Sequence, residues 1–372
     1  MTSLKFNCSR PELYEIVSNV SRAVSGKTSL AVLEGILIRA KGDTLSFLGY
    51  DLDLGISAQM GARVEEEGEI VLSAKLFVDM MRRMNGDTVS IQTDEKYLTE
   101  IKSGATEFTI LGIPADEFPE IPAVQEEQSV SLPQHLLKSM IDQTLFAIST
   151  NDSKPVHTGS LFQLEGGELR VVSVDGFRLA LRTEKVSAEG EAQFIIPGKT
   201  LSEMNKLLSE DDDEQTRLYL SRKHVVVQIG QYKVISRLLE GEFLDYKAAI
   251  PAGSTTTVTV EVRPLIESIE RTSLLISDRL KSPLRIQFEE EQIKMSCSTA
   301  IGKAYDQLTC RLEGDEVEIG FNNRYMLEAL RATGCDQVNL LISGPLAPMK
   351  MVPIEGDSFL FLILPVRLKS EV

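Results

Sequence analysis

A chain of 372 residues with 42% hydrophobic and 25% charged residues is long enough for two or three domains and has the composition of a folded globular protein, not of a disordered one. Its 39 Lys and Arg residues against 55 Asp and Glu give a net charge of −16, which argues against nonspecific binding to nucleic acid through a basic surface. The cysteines form no CxxC pair, so we expect small buried thiols and neither a zinc ribbon nor a dithiol redox motif. They are Cys8, Cys297, Cys310 and Cys335.

Membrane and leader segments are not expected. The longest apolar stretch, residues 359–366, is broken by Pro365 and is far shorter than the roughly 20 residues that span a bilayer. The first seven residues alternate as a strand does, with no basic segment followed by an apolar core. We therefore predict a cytoplasmic protein without a secretory signal.

The first third of the chain alternates between strand and helix patterns. A strand over 4–8 precedes a helix over 10–24, and strands follow at 33–40, 44–50 and 54–60. The same order recurs with a strand at 69–73, a helix at 74–84, and strands near 89–93, 97–102 and 107–110. This predicts two β-α-β-β-β halves. Short strands joined by Gly, Asp and Asn turns favour antiparallel sheets, so the fold class is α+β with helices on one face.

The pattern repeats along the whole chain. The segment that begins at Leu45 resembles the one that begins at Leu169, and the segment from Ile293 starts similarly, at intervals of 124 residues. Val71, Ile195 and Ile319 precede helical patterns at the same interval. We therefore predict three repeated domains, at 1–125, 126–252 and 253–372, with linkers near 117–127 and 243–254.

Motifs for catalysis, cofactors and metals are incomplete. Residues 25–28 (Ser-Gly-Lys-Thr) look like the end of a phosphate-binding loop, but position 21 is Ser21 where that loop needs glycine. The acidic stretches at 51–55 and 211–214 lack the ligands of a calcium loop, and the histidines have no partner at metal-ligand spacing. We expect no cofactor and no metal. An enzyme whose catalytic groups meet only in the fold stays an alternative.

Basic residues recur on the second helix of each repeat. Lys75 and Arg82 are seven residues apart, which places them two turns apart on one helix face. The later repeats keep this spacing with Lys199, Lys206, Arg324 and Arg331. We interpret these cations as a positive surface within an acidic chain. The alternative is an ordinary solvated helix face, because Asp79, Glu203 and Glu328 are mixed in.

Several motifs occur in a fixed order on this repeat. They are Thr158-Gly159 followed by VDGFRLA at 174–180, LEGEF at 239–243 followed by Asp245-Tyr246, IGFN at 319–322 followed by Tyr325, and LPVRL at 364–368. Together they resemble the bacterial DNA polymerase III beta subunits, the sliding clamps. The resemblance implies the sliding-clamp fold: a homodimeric ring of six similar domains, with antiparallel sheets outside and helices lining a central hole around duplex DNA.

The resemblance also implies a function and its partners. The protein would be a non-catalytic processivity factor that tethers the replicative DNA polymerase to double-stranded DNA without sequence preference. A clamp-loader ATPase complex would open the ring, and repair proteins would bind it through a short peptide. Two alternatives stay open: the enzyme named above, and a scaffold that binds only proteins through its helices.

Three sets of residues follow from the resemblance. DNA would be faced by the recurring helix cations and by the loop residues Lys27, Asn151 and Lys154. The subunit contact would join Phe108 and Ile110 of one copy to Leu275 and Ile276 of the other. A hydrophobic groove for a short linear peptide would be lined by His157, Val174, Gly176, Phe177, Arg178, Leu179, Leu244, Ala249, Leu346, Pro348, Leu362, Leu364, Pro365, Val366 and Arg367.

Within this groove, apolar anchors would supply the affinity, and Arg178 and Arg367 would orient the peptide. The sequence departs from the common family pattern at His157, Phe177, Leu244, Ala248 and Ala249. These departures affect the expected shape of the groove and its peptide preference. The tail, Lys369 to Val372, extends past the usual family end, and we assign it no role.

Overall fold

The computed structural model describes residues 3–26, 28–122, 124, 128–151, 153–188, 190–277 and 282–368. The chain divides into two compact units. Unit 1 comprises Met1–His135 and Glu203–Leu238, and unit 2 comprises Leu136–Ser202 and Leu239–Val372.

The elements follow the predicted order of strands and helices. The first third contains β1 (Leu4–Ser9), α1 (Arg10–Val20), β2 (Gly35–Lys41), β3 (Thr44–Tyr50), β4 (Leu54–Gly61), β5 (Arg63–Glu66), β6 (Gly68–Ser73), α2 (Ala74–Arg83), β7 (Thr88–Thr93), β8 (Leu98–Ser103) and β9 (Thr106–Leu111). The second contains β10 (Gln128–Pro133), α3 (Gln134–Asp142), β11 (Gly159–Glu165), β12 (Glu168–Val174), β13 (Arg178–Lys185), β14 (Ala192–Pro197), α4 (Gly198–Leu207), β15 (Gln215–Leu220), β16 (His224–Ile229) and β17 (Tyr232–Arg237). The last contains α5 (Tyr246–Ala249), β18 (Thr256–Glu261), α6 (Val262–Thr272), β19 (Leu284–Phe288), β20 (Gln292–Thr299), β21 (Gly302–Thr309), β22 (Arg311–Gly314), β23 (Val317–Phe321), α7 (Asn323–Ala332), β24 (Gln337–Ile342), β25 (Met349–Pro353) and β26 (Phe359–Ile363).

Helix α1 shows how local sequence sets these boundaries. The side chain of Ser9 accepts a hydrogen bond from the Glu12 backbone N–H, and Pro11 occupies the first turn, where its missing N–H costs nothing. The helix ends at Val20 and not at Val24 as predicted, because the chain tightens into a 3₁₀ turn at Ser21–Ala23 and is extended at Val24. The short strands β5 and β22 were not predicted.

Unit 1 holds two antiparallel sheets. One has the strand order β5-β1-β7-β8-β9, and the other has the order β10-β15-β16-β17-β4-β3-β2-β6. Helices α1 and α2 contact each other and bury apolar residues such as Leu13, Ile16 and Phe77. Half of the surface of Leu76 is exposed, because the buried face of α2 runs through Phe77, Met80 and Met81.

Unit 2 also holds two antiparallel sheets, with the strand orders β14-β11-β12-β13-β26-β25-β24-β18-β22 and β21-β20-β19-β23. Helices α6 and α7 pack on each other, and one core cluster joins Leu265 and Ile269 of α6 to Met326 of α7 and to Phe288 and Phe321 of the smaller sheet. Every strand pair in the described residues is antiparallel, which confirms the predicted α+β class.

The start of the predicted linker at 243–254 is attached to unit 2: Phe243 and Tyr246 are buried, and the Tyr246 hydroxyl donates a hydrogen bond to Gln163 at 2.9 Å. Apolar side chains therefore fix the start of this segment on unit 2.

Of the cysteines, Cys8 and Cys297 are buried as expected, whereas Cys310 and Cys335 are only half-buried. In the described part of the chain, no helix has the length and apolar character needed to cross a membrane.

Candidate functional site

The turn between β12 and β13 positions the central residues of the predicted groove. One carboxylate oxygen of Asp175 accepts the backbone N–H groups of Phe177 at 2.9 Å and Arg178 at 3.1 Å. Gly176 lies between them with φ +92°, a left-handed conformation that costs glycine little. The turn therefore directs Phe177 outward, with 58% of its surface exposed, and Arg178 inward, with 8% exposed.

Arg178 ties this turn to helix α7. Its Nε donates to Asp175 at 2.9 Å, and its Nη1 donates to the carboxylate of Glu328. The guanidinium carbon lies 4.4 Å from the centre of the Tyr325 ring and 5.4 Å from that of Phe146. A buried guanidinium is stable only when its charge is compensated, and two carboxylates and two aromatic faces supply that compensation.

An exposed apolar rim surrounds the turn. Phe177 stacks on Tyr325 with ring centres 6.1 Å apart, and its carbonyl accepts the Leu364 N–H at 2.9 Å. The Val366 N–H donates to the carbonyl of Gly320 at 2.7 Å, and a β-carbon on Gly320 would lie 2.4 Å from the Val366 carbonyl oxygen. Glycine at 320 thus lets the C-terminal segment lie against β23. Leu364 and Val366 have exposed side chains and complete this rim, and Leu346, a predicted groove residue on the loop before β25, is exposed as well.

The floor beneath this rim is a separate buried cluster. Val174 pairs with Leu179, which pairs with Leu362, so one row of side chains crosses β12, β13 and β26. All three are nearly fully buried. The cluster also contains Leu161, Val172, Ile195, Phe243 and Tyr246. The predicted groove residues therefore separate into a packed floor and an exposed rim.

The other predicted groove residues lie around this floor. His157 is buried, with its ring centre 5.5 Å from that of Phe243 in an edge-on contact. Burial, together with the nearby Lys154 cation, lowers the pKa of His157. Leu244 and Ala249 are exposed on the segment that carries Phe243 and Tyr246. Pro348 and Pro365 are half-buried, and Gly176 and Arg367 are exposed.

The structure adds residues that were not predicted as groove lining. A cleft of about 800 Å³ is lined by Asn322, Tyr325, Glu328 and Val366, among others, so it adjoins the rim. Tyr325 could have been found from the sequence, because it belongs to one of the motifs that carry the family resemblance. Glu328 and Phe146 carried no signal, because nothing in the sequence indicates that they meet Arg178.

The predicted DNA-facing cations lie on three helices of equal length. In α2, α4 and α7, each ten residues long, the cations occupy the second and ninth positions and an acid occupies the sixth. All six cations are exposed. The acids pair with them: Asp79 with Arg82, Glu203 with Lys206 at 2.8 Å, and Glu328 with Arg324 at 3.8 Å. Arg331 pairs with Glu270 of α6 at 2.6 Å.

The remaining predicted residues lie on loops and edges. Asn151 and Lys154 are exposed, and Lys27 lies outside the described residues, as does the tail at 369–372. Phe108 and Ile110 are half-buried on β9, an edge strand that pairs with β8. Leu275 and Ile276 are half-buried just after α6. Across the described ranges, no three His, Cys, Asp or Glu side chains are grouped so that they could hold a metal.

Three family models match the chain in sequence order. The DNA polymerase III beta subunit N-terminal domain matches residues 4–122, the central domain matches 131–245, and the C-terminal domain matches 247–367. The chain belongs to the DNA polymerase III beta subunit family. A beta sliding clamp from Bacillus subtilis is 33% identical, over 98% of this chain and 100% of that protein.

Solved structures agree with this family. A DNA polymerase sliding clamp from Bacillus subtilis has a TM-score of 0.95 at 32% identity, over 99% of this chain and 100% of that one. A sliding clamp from Pseudomonas aeruginosa bound to griselimycin has a TM-score of 0.93 at 27% identity, over 98% and 100%.

The chain is therefore a processivity clamp of DNA replication with the sliding-clamp fold, and the family is non-catalytic. The family membership confirms the predicted function and excludes both alternatives considered from the sequence, the repeat-built enzyme and the protein-only scaffold.

Proposed function

We propose that two copies of this chain close into a ring around duplex DNA, with α2, α4 and α7 facing the phosphates. The proposal includes the three-domain division at 1–125, 126–252 and 253–372, and it places the protein in the cytoplasm with its replication partners. The observation that carries it is the recurrence of exposed cations at the second and ninth positions of three equivalent helices. The loop residues Lys27, Asn151 and Lys154 would add DNA contacts.

The ion pairs on these helices suit sliding. An exposed pair contributes only about 0 to 1 kcal/mol, so Arg82 or Lys206 can exchange its carboxylate for a phosphate at little cost. Contacts of this kind read no sequence, and their weakness lets the ring move along the duplex. DNA is then retained by closure of the ring and not by a strong grip.

The subunit contact is proposed at two edge strands. Strand β9 carries Phe108 and Ile110 and ends at Leu111, whose side chain is 72% exposed, while β21 is an edge of the smaller sheet of unit 2, near Leu275 and Ile276. Unpaired edges with exposed apolar side chains favour association. Light scattering should give twice the chain mass of 41.2 kDa. A monomer at every concentration would contradict the ring.

Retention on DNA tests the ring itself. After a clamp loader has placed the protein on a nicked circular plasmid, we expect it to stay bound in high salt until a restriction enzyme linearises the circle, and then to leave over the free ends. Release that is equally fast from circular and linear DNA would contradict topological binding. Replacing Lys199 and Lys206 with Glu should weaken DNA association measured at low salt.

We further propose that the groove binds a short linear peptide from the replicative polymerase, the clamp-loader complex and repair proteins. The support is an exposed apolar rim of Phe177, Leu364 and Val366 next to a buried apolar floor, and the predicted groove residue Leu346 is also exposed. Anchor side chains would enter the rim, and the exposed Arg367 would meet polar groups of the peptide.

A displacement assay tests this site. A fluorescein-labelled peptide with the C-terminal sequence of the replicative polymerase from the same genome should bind, and unlabelled griselimycin should displace it. The exposed Arg367→Ala should weaken the peptide without lowering the thermal unfolding temperature. Undiminished binding of the peptide to Arg367→Ala would reject the role of this side chain, and no binding to the unaltered protein would reject the groove.

A further inference from the structure

Glu328 differs from its two counterparts, although the three acids occupy the same position. Asp79, Glu203 and Glu328 are each the sixth residue of a ten-residue helix. Asp79 pairs with the exposed Arg82, and Glu203 pairs with the exposed Lys206. Glu328 pairs with two cations, and they lie in different environments. In α7, the acid at this repeated position therefore contacts a buried cation as well as an exposed one.

The two contacts of Glu328 are unequal. One carboxylate oxygen accepts a hydrogen bond from Arg178, whose side chain is 8% exposed. The other lies 3.8 Å from Nε of Arg324, whose side chain is 66% exposed. The buried contact is screened little by solvent and the exposed one is screened strongly. Glu328 therefore holds Arg178 firmly and Arg324 loosely.

Arg178 in turn supports the rim of the groove. Its guanidinium lies 4.4 Å from the centre of the Tyr325 ring, and Tyr325 stacks against Phe177. Phe177 receives the Leu364 N–H, which attaches the C-terminal segment to the turn. Any displacement of Arg178 would therefore change the position of the aromatic rim.

We propose that Glu328 is a positioning residue that serves both sites of the clamp: it fixes Arg178 and the aromatic rim for peptide binding, and it restrains Arg324 on the DNA-facing side of α7. This inference rests on the proposed function and adds a residue that acts through Arg178 and Arg324. A single change at Glu328 should move the two affinities in opposite directions.

Charge explains the two directions. Without the negative charge, Arg324 faces DNA with less compensation, so phosphate binding strengthens at low salt. The same change leaves Arg178 with Asp175 as its remaining carboxylate partner among the described residues, so the rim is held less firmly. Weaker positioning of the rim lowers peptide affinity, because the peptide then has to order the rim when it binds.

The test compares Glu328→Gln with the matched control Glu203→Gln. Both remove one carboxylate from the same helix position, but Glu203 pairs with Lys206, and neither residue lies in the predicted groove. Binding of a short fluorescein-labelled duplex should strengthen for both variants, with a salt slope steeper by up to about one unit. Binding of the labelled polymerase peptide should weaken roughly three- to tenfold for Glu328→Gln alone, which lies within the range for residues that act through others.

Glu328→Asp separates the effect of the negative charge from the effect of side-chain length. Aspartate keeps the negative charge but is one methylene shorter, so we expect DNA affinity close to that of the unaltered protein and peptide affinity lowered as in Glu328→Gln. A double-mutant cycle with Arg178→Met adds a readout that a general loss of stability would not produce. The effects of Arg178→Met and Glu328→Gln on peptide binding should be clearly non-additive, because the two residues act through one contact.

The outcomes separate this inference from the proposed function. If the unaltered protein bound neither the duplex nor the peptide, the proposed function would fail and this inference with it. If the unaltered protein bound both, and Glu328→Gln and Glu203→Gln had the same peptide affinity, the groove would stand and the role of Glu328 would be overturned. Additive effects in the double-mutant cycle would overturn it as well.

Discussion

The turn from β3 to β4 in unit 1 and the turn from β12 to β13 in unit 2 are 124 residues apart and share one backbone arrangement. In the first, a carboxylate oxygen of Asp51 accepts the N–H groups of Asp53 and Leu54 at 3.1 and 2.7 Å. In the second, Asp175 accepts the N–H groups of Phe177 and Arg178 in the same way. The residue after each aspartate has a positive φ, 80° for Leu52 and 92° for Gly176.

The side chains that follow these aspartates differ. Unit 1 places Asp53 and the buried Leu54 where unit 2 places Phe177 and Arg178. Leu54 is apolar and needs no charged partner, whereas Arg178 requires Asp175 and Glu328. The comparison shows that the repeat supplies the scaffold of the groove, while two substituted positions and their distant partners supply its surface.

The largest expected effect on stability comes from truncating the buried side chain of each turn, Leu54 in unit 1 and Arg178 in unit 2. Leu54→Ala and Arg178→Ala should each lower the free energy of unfolding by about 2 to 4 kcal/mol, the first by leaving a cavity and the second by leaving carboxylates without their cation. Only Arg178→Ala should strongly weaken binding of the polymerase peptide. Because the chain has no Trp, urea unfolding is best followed by circular dichroism. Loss of peptide binding in Leu54→Ala would contradict the assignment of the groove to the turn of unit 2.

A smaller effect on stability is expected at the exposed residue of the second turn, Phe177. Phe177→Ala should change the free energy of unfolding by less than about 0.5 kcal/mol, because the side chain is mostly exposed. Peptide affinity should fall by about tenfold or more, since a truncated aromatic anchor costs over 1 kcal/mol. Asp53→Ala, at the equivalent position of unit 1, is the control and should leave peptide affinity unchanged in a fluorescence anisotropy titration.

The residue with a positive φ in each turn, Leu52 or Gly176, sharpens the comparison further. Gly176→Ala should cost about 1 kcal/mol of unfolding free energy through backbone strain alone, because a β-carbon there would meet no atom within 4 Å. Leu52→Gly should relieve similar strain, offset by the greater entropy of glycine in the unfolded chain, for a net change of less than about 0.5 kcal/mol. A cost of Gly176→Ala well above 2 kcal/mol would show that the two turns are not equivalent.

Much of the fold could be predicted because its signals are local. Alternating strands, amphipathic helices and turn residues gave the order of elements, and the 124-residue period gave the equivalence of distant segments. The end of α1 was missed because Val24 continues the apolar spacing of the helix after the chain has left it. Strands β5 and β22 were missed because four residues carry too short an alternation.

The groove could be predicted only in part. Family motifs gave Phe177, Arg178 and the C-terminal segment, but the period relates equivalent positions and not positions in contact. Arg178 and Glu328 are 150 residues apart, so no spacing in the sequence indicates that they meet. The sequence also could not show that Val174 and Leu362 form a packed floor. Apolar residues follow the same sequence pattern whether they are buried in the floor or exposed on the rim.

The smallest expected effect is a pH dependence. His157 follows two residues after the start of the 3₁₀ turn Pro155–Thr158, and the matching turn of unit 1, Ala31–Glu34, has Leu33 there. Burial and Lys154 depress the pKa of His157 below its ordinary 6.5. The unfolded chain therefore takes up a proton first as the pH falls through about 6.5, and stability present above that pH is lost below it.

Replacing His157 with Leu should remove this part of the pH dependence, which we expect to be under about 1 kcal/mol between pH 7 and 5. Urea unfolding at the two pH values measures it. His224, whose pKa is also lowered by burial, stays in the variant and accounts for a residual dependence. An unchanged pH dependence in His157→Leu would show that His157 titrates alike in the folded and unfolded chain.

Hydrogen exchange of the full chain, with and without the polymerase peptide, tests most directly whether unit 2 alone carries the groove. We predict slower exchange at the amides of Phe177, Arg178 and Leu364 when the peptide is bound, and no change at the amides of Asp53 and Leu54. Equal protection of both turns, or protection confined to the turn of unit 1, would contradict the account.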